Sequence, residues 1–108
     1  MNAATMVAIA LASAGAAQEA AVIETIEETT VGDLDGHRVP MANLFEGDYA
    51  LPDGAKRHGW QCALVLPTGP VFVGAGSVVT VGESRWEVLK VEKPLGAPGT
   101  VTLRKLGG

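Results

Sequence analysis

The sequence predicts a mostly β domain, a small barrel or sandwich of five to six antiparallel strands with a short N-terminal helix or arm. Two observations lead to this prediction. Short apolar runs rich in Val, Ile and Thr recur along the chain, and clusters rich in the 14 glycines and 6 prolines separate them. Such spacing is typical of antiparallel sheets that close or nearly close. A length of 108 residues is enough for one hydrophobic core, so we expect one globular domain.

The first 18 residues differ from the rest of the chain. Residues 3–14 are strong helix formers, and Gly15 is placed to end a short helix. We therefore divide the chain into an arm over residues 1–18 and a barrel domain over residues 19–108. The Ala-rich start also resembles a secretory signal, although the first basic residue is Arg38, so a secreted or periplasmic β binding domain with a cleaved signal is the alternative. The apolar run is too short to span a bilayer, so we expect no membrane contact.

The first half of the domain predicts one hairpin. Residues 20–31 suit either a helix or a strand, and their β-branched residues favour a strand for the second half. A turn cluster follows over residues 32–36, in which Asp supplies local hydrogen bonds and Gly supplies positive φ. The return strand over residues 37–45 contains Pro40, which has no backbone donor and therefore indicates an edge or a bulge.

The second half predicts a clearer hairpin. Two alternating runs, residues 77–81 and 85–91, surround the turn Gly82-Glu83-Ser84. Strict alternation would place Trp86, Val88 and Lys90 on one face of the return strand, with Leu89 and Val91 on the other. Residues 60–66 predict a buried strand, and residues 100–106 predict the closing strand.

The longest predicted loop covers residues 46–59, because polar residues and turn residues dominate this segment. Long loops in compact domains are usually functional, so we expect this one to face a ring axis or a neighbouring protein rather than fold over its own barrel. Its acids precede its bases, so one limb could approach DNA phosphates. The candidate partner-contact residues are Asp48, Asp53, Lys56, Arg57 and His58.

Charge is distributed unevenly along the chain, whose net charge is −4. Residues 1–53 carry nine acids and one base, a balance of −8, whereas residues 54–108 carry three acids and seven bases, a balance of +4. Opposite charges suit head-to-tail contact between copies. The alternative is that the strands mix both halves in space. The net negative charge argues against a general nucleic-acid binder.

The sequence offers few groups that could carry out a reaction. Two histidines and one cysteine are a small supply for a metal site or a catalytic triad, and no serine lies in a Gly-x-Ser-x-Gly elbow. Cys62 lies in an apolar run and fits a buried thiol. We therefore expect no enzyme activity and no catalytic, cofactor-binding or metal-binding residues.

Residues 76–91 have a more specific pattern. A strand and a Gly-Glu turn precede an aromatic residue and two valines: Gly76, Ser77, Val78, Val79, Thr80, Val81, Gly82 and Glu83, then Trp86, Val88 and Val91. This pattern resembles the C-terminal hairpin of lambda-type phage head-completion proteins, also called head–tail joining or stopper proteins. Residues 36–46 and 99–103 are similar to an upstream strand and the closing strand of that family, so the resemblance covers roughly residues 25–106.

The resemblance implies a structural protein of the head–tail connector, in the neck of a virion assembled in the host cytoplasm. Members of the family form a ring, commonly of six copies, beneath the portal or its adaptor. The ring helps to retain packaged DNA and presents a docking surface to the tail, whose terminator or tube protein is then a partner. The family can place an inter-strand loop in the channel, and residues 46–59 match that position. A capsid decoration or baseplate barrel is a further alternative.

Overall fold

The computed structural model describes residues 22–107, so the predicted arm over residues 1–18 lies outside the described residues. Eight strands are present in the described part: β1 Ile23–Glu27, β2 Val31–Leu34, β3 His37–Ala50, β4 Lys56–Leu66, β5 Gly69–Gly74, β6 Val78–Val81, β7 Ser84–Glu92 and β8 Thr100–Gly107. They form two antiparallel sheets, with the orders β1-β8-β7-β6 (the first sheet) and β2-β3-β4-β5 (the second sheet). One sheet curls into a half-barrel, and the predicted mostly β class is confirmed.

The strand count exceeds the predicted five to six because two long strands bend and serve both sheets. β1 continues into β2 through residues 28–30, and β5 continues into β6 through residues 75–77. We call these bends the first and second corners. Backbone hydrogen bonds continue through both: Thr29 N to Met41 O (2.9 Å), Met41 N to Thr30 O (3.1 Å), Gly76 N to Val88 O (2.8 Å) and Val88 N to Ser77 O (2.8 Å).

The core lies between the two sheets and is built from the inward-facing residues of the strands. Its largest fully buried side chains are Trp86, Ile26, Leu34, Met41, Leu64 and Leu103. β1 joins this core through β8, with Ile26 opposite Val101. Cys62 is buried in the same cluster, as predicted, and burial raises the pKa of its thiol to about 12.

The predicted β6–β7 hairpin is present, and the first predicted hairpin is present only in part, since residues 32–34 belong to β2 rather than to the turn and residues 23–27 pair with β8. In the first, β2 and β3 are joined by Asp35 and Gly36, whose φ values of 59° and 88° suit a two-residue turn. The Asp33 carboxylate accepts the Gly36 N–H at 2.7 Å. In the second, Gly82, with φ of 61°, leads the turn between β6 and β7.

Pro40 lies in an inner strand, yet it disrupts no ladder. The pairing of β3 with β4 begins only at Met41, opposite Leu64. The Met41 N–H donates to the Thr30 carbonyl, on the side of β3 away from β4. The backbone N–H groups of successive strand residues point alternately to the two sides of the strand. The position of the missing Pro40 donor therefore faces the β4 side before that ladder starts. The predicted edge or bulge position of the strand is wrong, because Pro40 is tolerated at a locally unpaired point of an inner strand.

Trp86 lies at the centre of the β6–β7 hairpin and is only 1% exposed. Its indole N–H donates to the Ser84 hydroxyl at 3.0 Å, and that hydroxyl donates to the Val81 carbonyl at 3.0 Å. The indole is therefore buried with its one donor satisfied.

The predicted alternation along the return strand is wrong beyond Val88. The register of β7 with β8 shifts between Val88 and Lys90, so Leu89 is the extra residue of a bulge. The bulge reverses the phase of the strand. Val91 is therefore buried with Trp86 and Val88, whereas Lys90 and Leu89 are exposed.

The prediction of a loop over residues 46–59 is also wrong. β3 continues to Ala50 and β4 begins at Lys56, with Gly47 opposite Gly59 and Asp48 opposite His58. Only residues 51–55 turn. The tip closes through the Leu51 N–H to Ala55 O at 2.7 Å, with the Asp53 carboxylate accepting the Ala55 N–H at 2.9 Å. We call residues 46–60 the long hairpin.

Glu28 closes the first corner against the segment that precedes β8. Its N–H donates to the Gly99 carbonyl at 2.8 Å, and its carboxylate accepts the Gly99 N–H at 3.1 Å. The Lys93 ammonium donates to the same carboxylate at 2.9 Å. These contacts, that of Lys93 first, hold the pKa of Glu28 below its ordinary value.

We predict that Glu28→Gln reduces the acid sensitivity of the fold. A carboxyl whose pKa is lower in the folded state contributes stability above its unfolded pKa and loses it as the pH falls through the folded value. Urea melts from pH 7 to pH 3 should therefore show wild-type stability falling below about pH 4.5 more steeply than that of the variant. Glu83→Gln, in an exposed turn, is the control and should keep the wild-type slope. Parallel profiles for Glu28→Gln and the wild type would contradict the role of Glu28.

We predict that Trp86→Ala lowers the free energy of unfolding by about 3–5 kcal/mol, because a buried indole is replaced by a cavity. Equilibrium unfolding in urea measures the change. Leu95→Ala is the control, since Leu95 is fully exposed, and it should change stability by less than about 0.5 kcal/mol. A loss below about 1 kcal/mol for Trp86→Ala would remove the indole from the core.

Candidate interaction surface

The long hairpin folds back onto its own barrel, contrary to the prediction that it would not. The Tyr49 hydroxyl donates to the Ala75 carbonyl at 2.8 Å, and an Arg57 N–H donates to the same oxygen at 3.1 Å. Gly74 and Gly76 make this close packing of the long hairpin against the second corner possible. A Cβ at Gly74 would lie 2.4 Å from the Tyr49 ring, and one at Gly76 would lie 2.8 Å from Leu51.

The opposite face of the long hairpin is charged and exposed. On this face of β4, Cys62 and Leu64 lie in the core and Trp60 lies at the core margin. His58 and Lys56 lie on the same face, beyond the core. Across the ladder, Asp48 lies opposite His58, and their side chains meet at 2.7 Å with most of both side chains exposed. The second sheet is therefore longer than its core, and its projecting part presents charged side chains to solvent.

The five predicted partner-contact residues do not act as one group. Asp48 and His58 pair with each other, and Lys56 projects near the tip. Arg57 turns to the opposite face to hold the second corner. The Asp53 carboxylate is used within the tip itself. Asp48, Lys56 and His58 thus remain as residues through which the charged face could contact a partner.

The charge halves of the sequence mix in space, which supports the second alternative. Lys105 lies 3.1 Å from Asp35, and its hydrogen bond lowers the pKa of that carboxyl. Lys93 pairs with Glu28 in the same way. Each pair joins an acid of the first half to a base of the second, so these charges are partly neutralised within one copy.

An apolar face on the outside of the second sheet was not predicted from the sequence. Four large side chains point away from the core: Val31, Phe45, Val65 and Phe72. The Phe45 and Phe72 rings meet edge to face with centroids 5.5 Å apart, and 41% and 60% of these residues remain exposed. A signal was present in the run Val71-Phe72-Val73, since both valines face the core and alternation then points Phe72 outward. Neighbouring exposed apolar side chains of this kind make the outer face a candidate contact surface.

An open cleft of about 460 Å³ lies beside the second corner. β5 forms one wall and β6 the other, because the two strands diverge from the corner into different sheets. The tip of the long hairpin closes one end through Ala50, Leu51 and Pro52. Val71 and Val79 are among the apolar residues that line the cleft. The cleft is thus an apolar groove bounded by strand edges.

Comparisons with protein-family models, with characterised proteins and with solved structures found no match to this chain. Within the described part of the chain, no three or more His, Cys, Asp and Glu side chains gather where they could hold a metal ion. None of residues 22–107 forms a helix long and apolar enough to cross a membrane. The surfaces described above are therefore the features of the molecule that bear on its function.

We predict that Gly74→Ala displaces the long hairpin from its contact with the second corner. The added methyl would overlap the Tyr49 ring, and overpacking costs about 1–3 kcal/mol. Hydrogen exchange should show faster exchange of amides 48–58 in the variant, and urea melts should show the loss of stability.

Gly59→Ala is the matched control, because Gly59 is also a strand glycine of the second sheet and nothing lies within 4 Å of its added Cβ. We expect it to change the stability by less than about 0.5 kcal/mol and to leave exchange of the hairpin unaltered. Equal behaviour of the two variants would show that Tyr49 does not hold the hairpin.

Proposed function

We propose that this chain is a structural protein of a phage virion, a head–tail connector subunit that forms a ring with its own copies. The ring would lie between the portal or its adaptor and the tail terminator or tube protein. There it would help to retain packaged DNA and dock the tail. The observation that carries this proposal is the long hairpin, which projects a charged face beyond the core of a small antiparallel barrel.

Two further features support the proposal. Residues 76–91, which resemble the C-terminal hairpin of head-completion proteins, fold as a strand, a tight turn and a strand with Trp86 in the core. The chain also has two chemically different surfaces, the charged hairpin face and the apolar face with Phe45 and Phe72. A ring subunit needs distinct surfaces of this kind, since it contacts both its own copies and other proteins.

The anchored hairpin suits a channel role better than a free loop would. Tyr49 and Arg57 fix its position through the Ala75 carbonyl, so its charged face has a defined direction. Charges act on DNA only over about 8 Å in physiological salt, so a fixed position determines whether Lys56 and His58 approach a phosphate. Glu46 and Asp48 both lie beside His58, so this face carries acids as well as Lys56, a balance that would favour passage of DNA over tight binding.

We predict that the purified full chain forms rings with a central channel, visible by negative-stain electron microscopy. The chain should also be found in purified virions by mass spectrometry. A strictly monomeric chain, or virions that lack it, would overturn the connector role.

We further predict that Lys56→Glu, assembled into particles, lowers the yield of DNA-filled tailed particles at least about tenfold while rings still form. Lys90→Glu is the control, since Lys90 is an exposed lysine on β7, away from the long hairpin. Normal yields for Lys56→Glu would show that the charged face has no role near DNA. Equal losses for both variants would indicate a general charge effect.

A further inference from the structure

Two free strand edges face the cleft beside the second corner. β5 is the last strand of the second sheet and β6 is the last strand of the first sheet. Within residues 22–107, neither outer edge has a hydrogen-bonded strand neighbour. Exposed strand edges carry unpaired N–H and C=O groups and are templates for an added strand.

The edge of β6 has its backbone groups directed into this opening. The two-residue turn makes Val81 and Ser84 a hydrogen-bonded pair, so the next such pair is Val79 and Trp86. The N–H and C=O groups of Val78 and Thr80 therefore point away from β7, towards the free edge. The cleft thus combines backbone hydrogen-bonding groups at its wall with an apolar lining from Val71 and Val79.

A segment of this same chain has the matching pattern. Twenty-one residues precede Val22, and the first 18 of them carry no charge. Large and small apolar residues alternate over residues 7–12, with Val7, Ile9 and Leu11 in one set and Ala8, Ala10 and Ala12 in the other, whereas Met6 falls in the alanine set. In an extended strand the large side chains would share one face and the methyl groups the other. Such a strand could direct its large side chains into the cleft and its alanines outward.

Docking as a strand differs from the helix that propensity predicts for residues 3–14. A short isolated helix is marginal in water, whereas a free edge supplies partners for the backbone of an added strand. The cleft volume of about 460 Å³ is in the range of natural binding clefts.

The position of Val22 favours the cleft of a neighbouring copy. β1 and β6 lie at opposite edges of the first sheet, so the chain enters the fold on the side away from its own cleft. To reach that cleft, the uncharged segment would cross the outer face of the first sheet, which carries the Arg104–Glu87 ion pair. Ten extended residues reach up to about 33 Å, enough to bridge to a copy placed edge to edge.

We propose that residues 5–12 of one copy add as a strand to the β6 edge of a neighbouring copy and fill the cleft between β5 and β6. The contact is head-to-tail, since a segment beside one edge of the first sheet meets the opposite edge of the next copy. The inference does not depend on the connector role, because it applies to any assembly of this chain.

The alternation of the segment gives a matched pair of variants. Ile9→Asp places a charge on the face directed into the cleft, whereas Ala8→Asp places the same charge on the outward face. Analytical ultracentrifugation of the full chain should show self-association weakened at least about tenfold by Ile9→Asp and less than about threefold by Ala8→Asp. Equal effects of the two variants, or no effect of either, would overturn the proposal.

A cross-linking experiment locates the contact directly. Full chains carrying Ala10→Cys are mixed with full chains carrying Thr80→Cys and oxidised, so that a mixed disulfide can form only between copies. Cys62 contributes little, because it is buried and its pKa is raised to about 12. Mass spectrometry should find the 10–80 disulfide. Thr25→Cys, on β1 at the opposite edge, is the control and should give at most about a tenth of that yield.

Two outcomes of this experiment would contradict the proposal. The first is a yield with Thr80→Cys no higher than with Thr25→Cys. The second is a double variant, Ala10→Cys with Thr80→Cys, that forms the disulfide within one chain under dilute conditions, since the segment would then occupy its own cleft. Rings that form without the 10–80 disulfide would overturn this inference and leave the connector proposal standing.

Discussion

The second corner, residues 75–77, is the constraint on which the rest of the structure depends. At this point one strand leaves the second sheet and enters the first, so the two sheets are held together by covalent chain as well as by the core. The Ala75 carbonyl accepts hydrogen bonds from Tyr49 and Arg57 and thereby sets the direction of the long hairpin. The same divergence of strands opens the cleft between β5 and β6. The joining of the two sheets, the direction of the long hairpin and the cleft between β5 and β6 thus all follow from the second corner.

Glycine makes this arrangement possible through close approach rather than through turn formation alone. Gly74 lies in β5 with no side chain to exclude the Tyr49 ring. Gly76 has a φ of 95°, and Leu51 occupies the space that a side chain at Gly76 would need. Any larger residue at either position would separate the hairpin from the corner. The hairpin would then lose its fixed direction even if the barrel remained intact, because the core residues lie elsewhere. Surface geometry and core stability are therefore set by largely separate residues.

The parts of the fold that the sequence predicts well are those determined by local chemistry. Asp35-Gly36 and Gly82-Glu83 specify tight turns by their own backbone preferences, and both hairpins are found there. The long hairpin was missed because its charges and glycines indicate a loop, whereas pairings across the ladder such as Asp48 with His58 make it a strand pair. Such pairings join residues six to fourteen apart in sequence, and no tight-turn dipeptide marks them.

Two of the three register shifts lead to wrong predictions for a similar reason. One at residues 43–44 turns Phe45 to the outer face beside Phe72, and one at Leu89 brings Val91 into the core. A bulge depends on how a partner strand fits, so alternation read along a single strand gives the wrong face beyond it. The predicted site residues lie on the long hairpin rather than on a loop, and Arg57 and Asp53 were assigned outward roles although Arg57 bonds the second corner and Asp53 bonds the hairpin tip.

The pairing of β1 with β8 has a consequence for biosynthesis. Ile26 meets Val101, so the strand made first in the described part waits for the strand made last before it gains its only ladder within residues 22–107. The second sheet, whose strands follow one another along the chain, can form while the ribosome is still adding residues. The first sheet cannot be completed until residues 100–107 have been synthesised, and non-local pairing of this kind is slow. During that interval the backbone of β1 is unpaired and Ile26 lacks its core partners, which makes nascent chains of this protein candidates for chaperone binding.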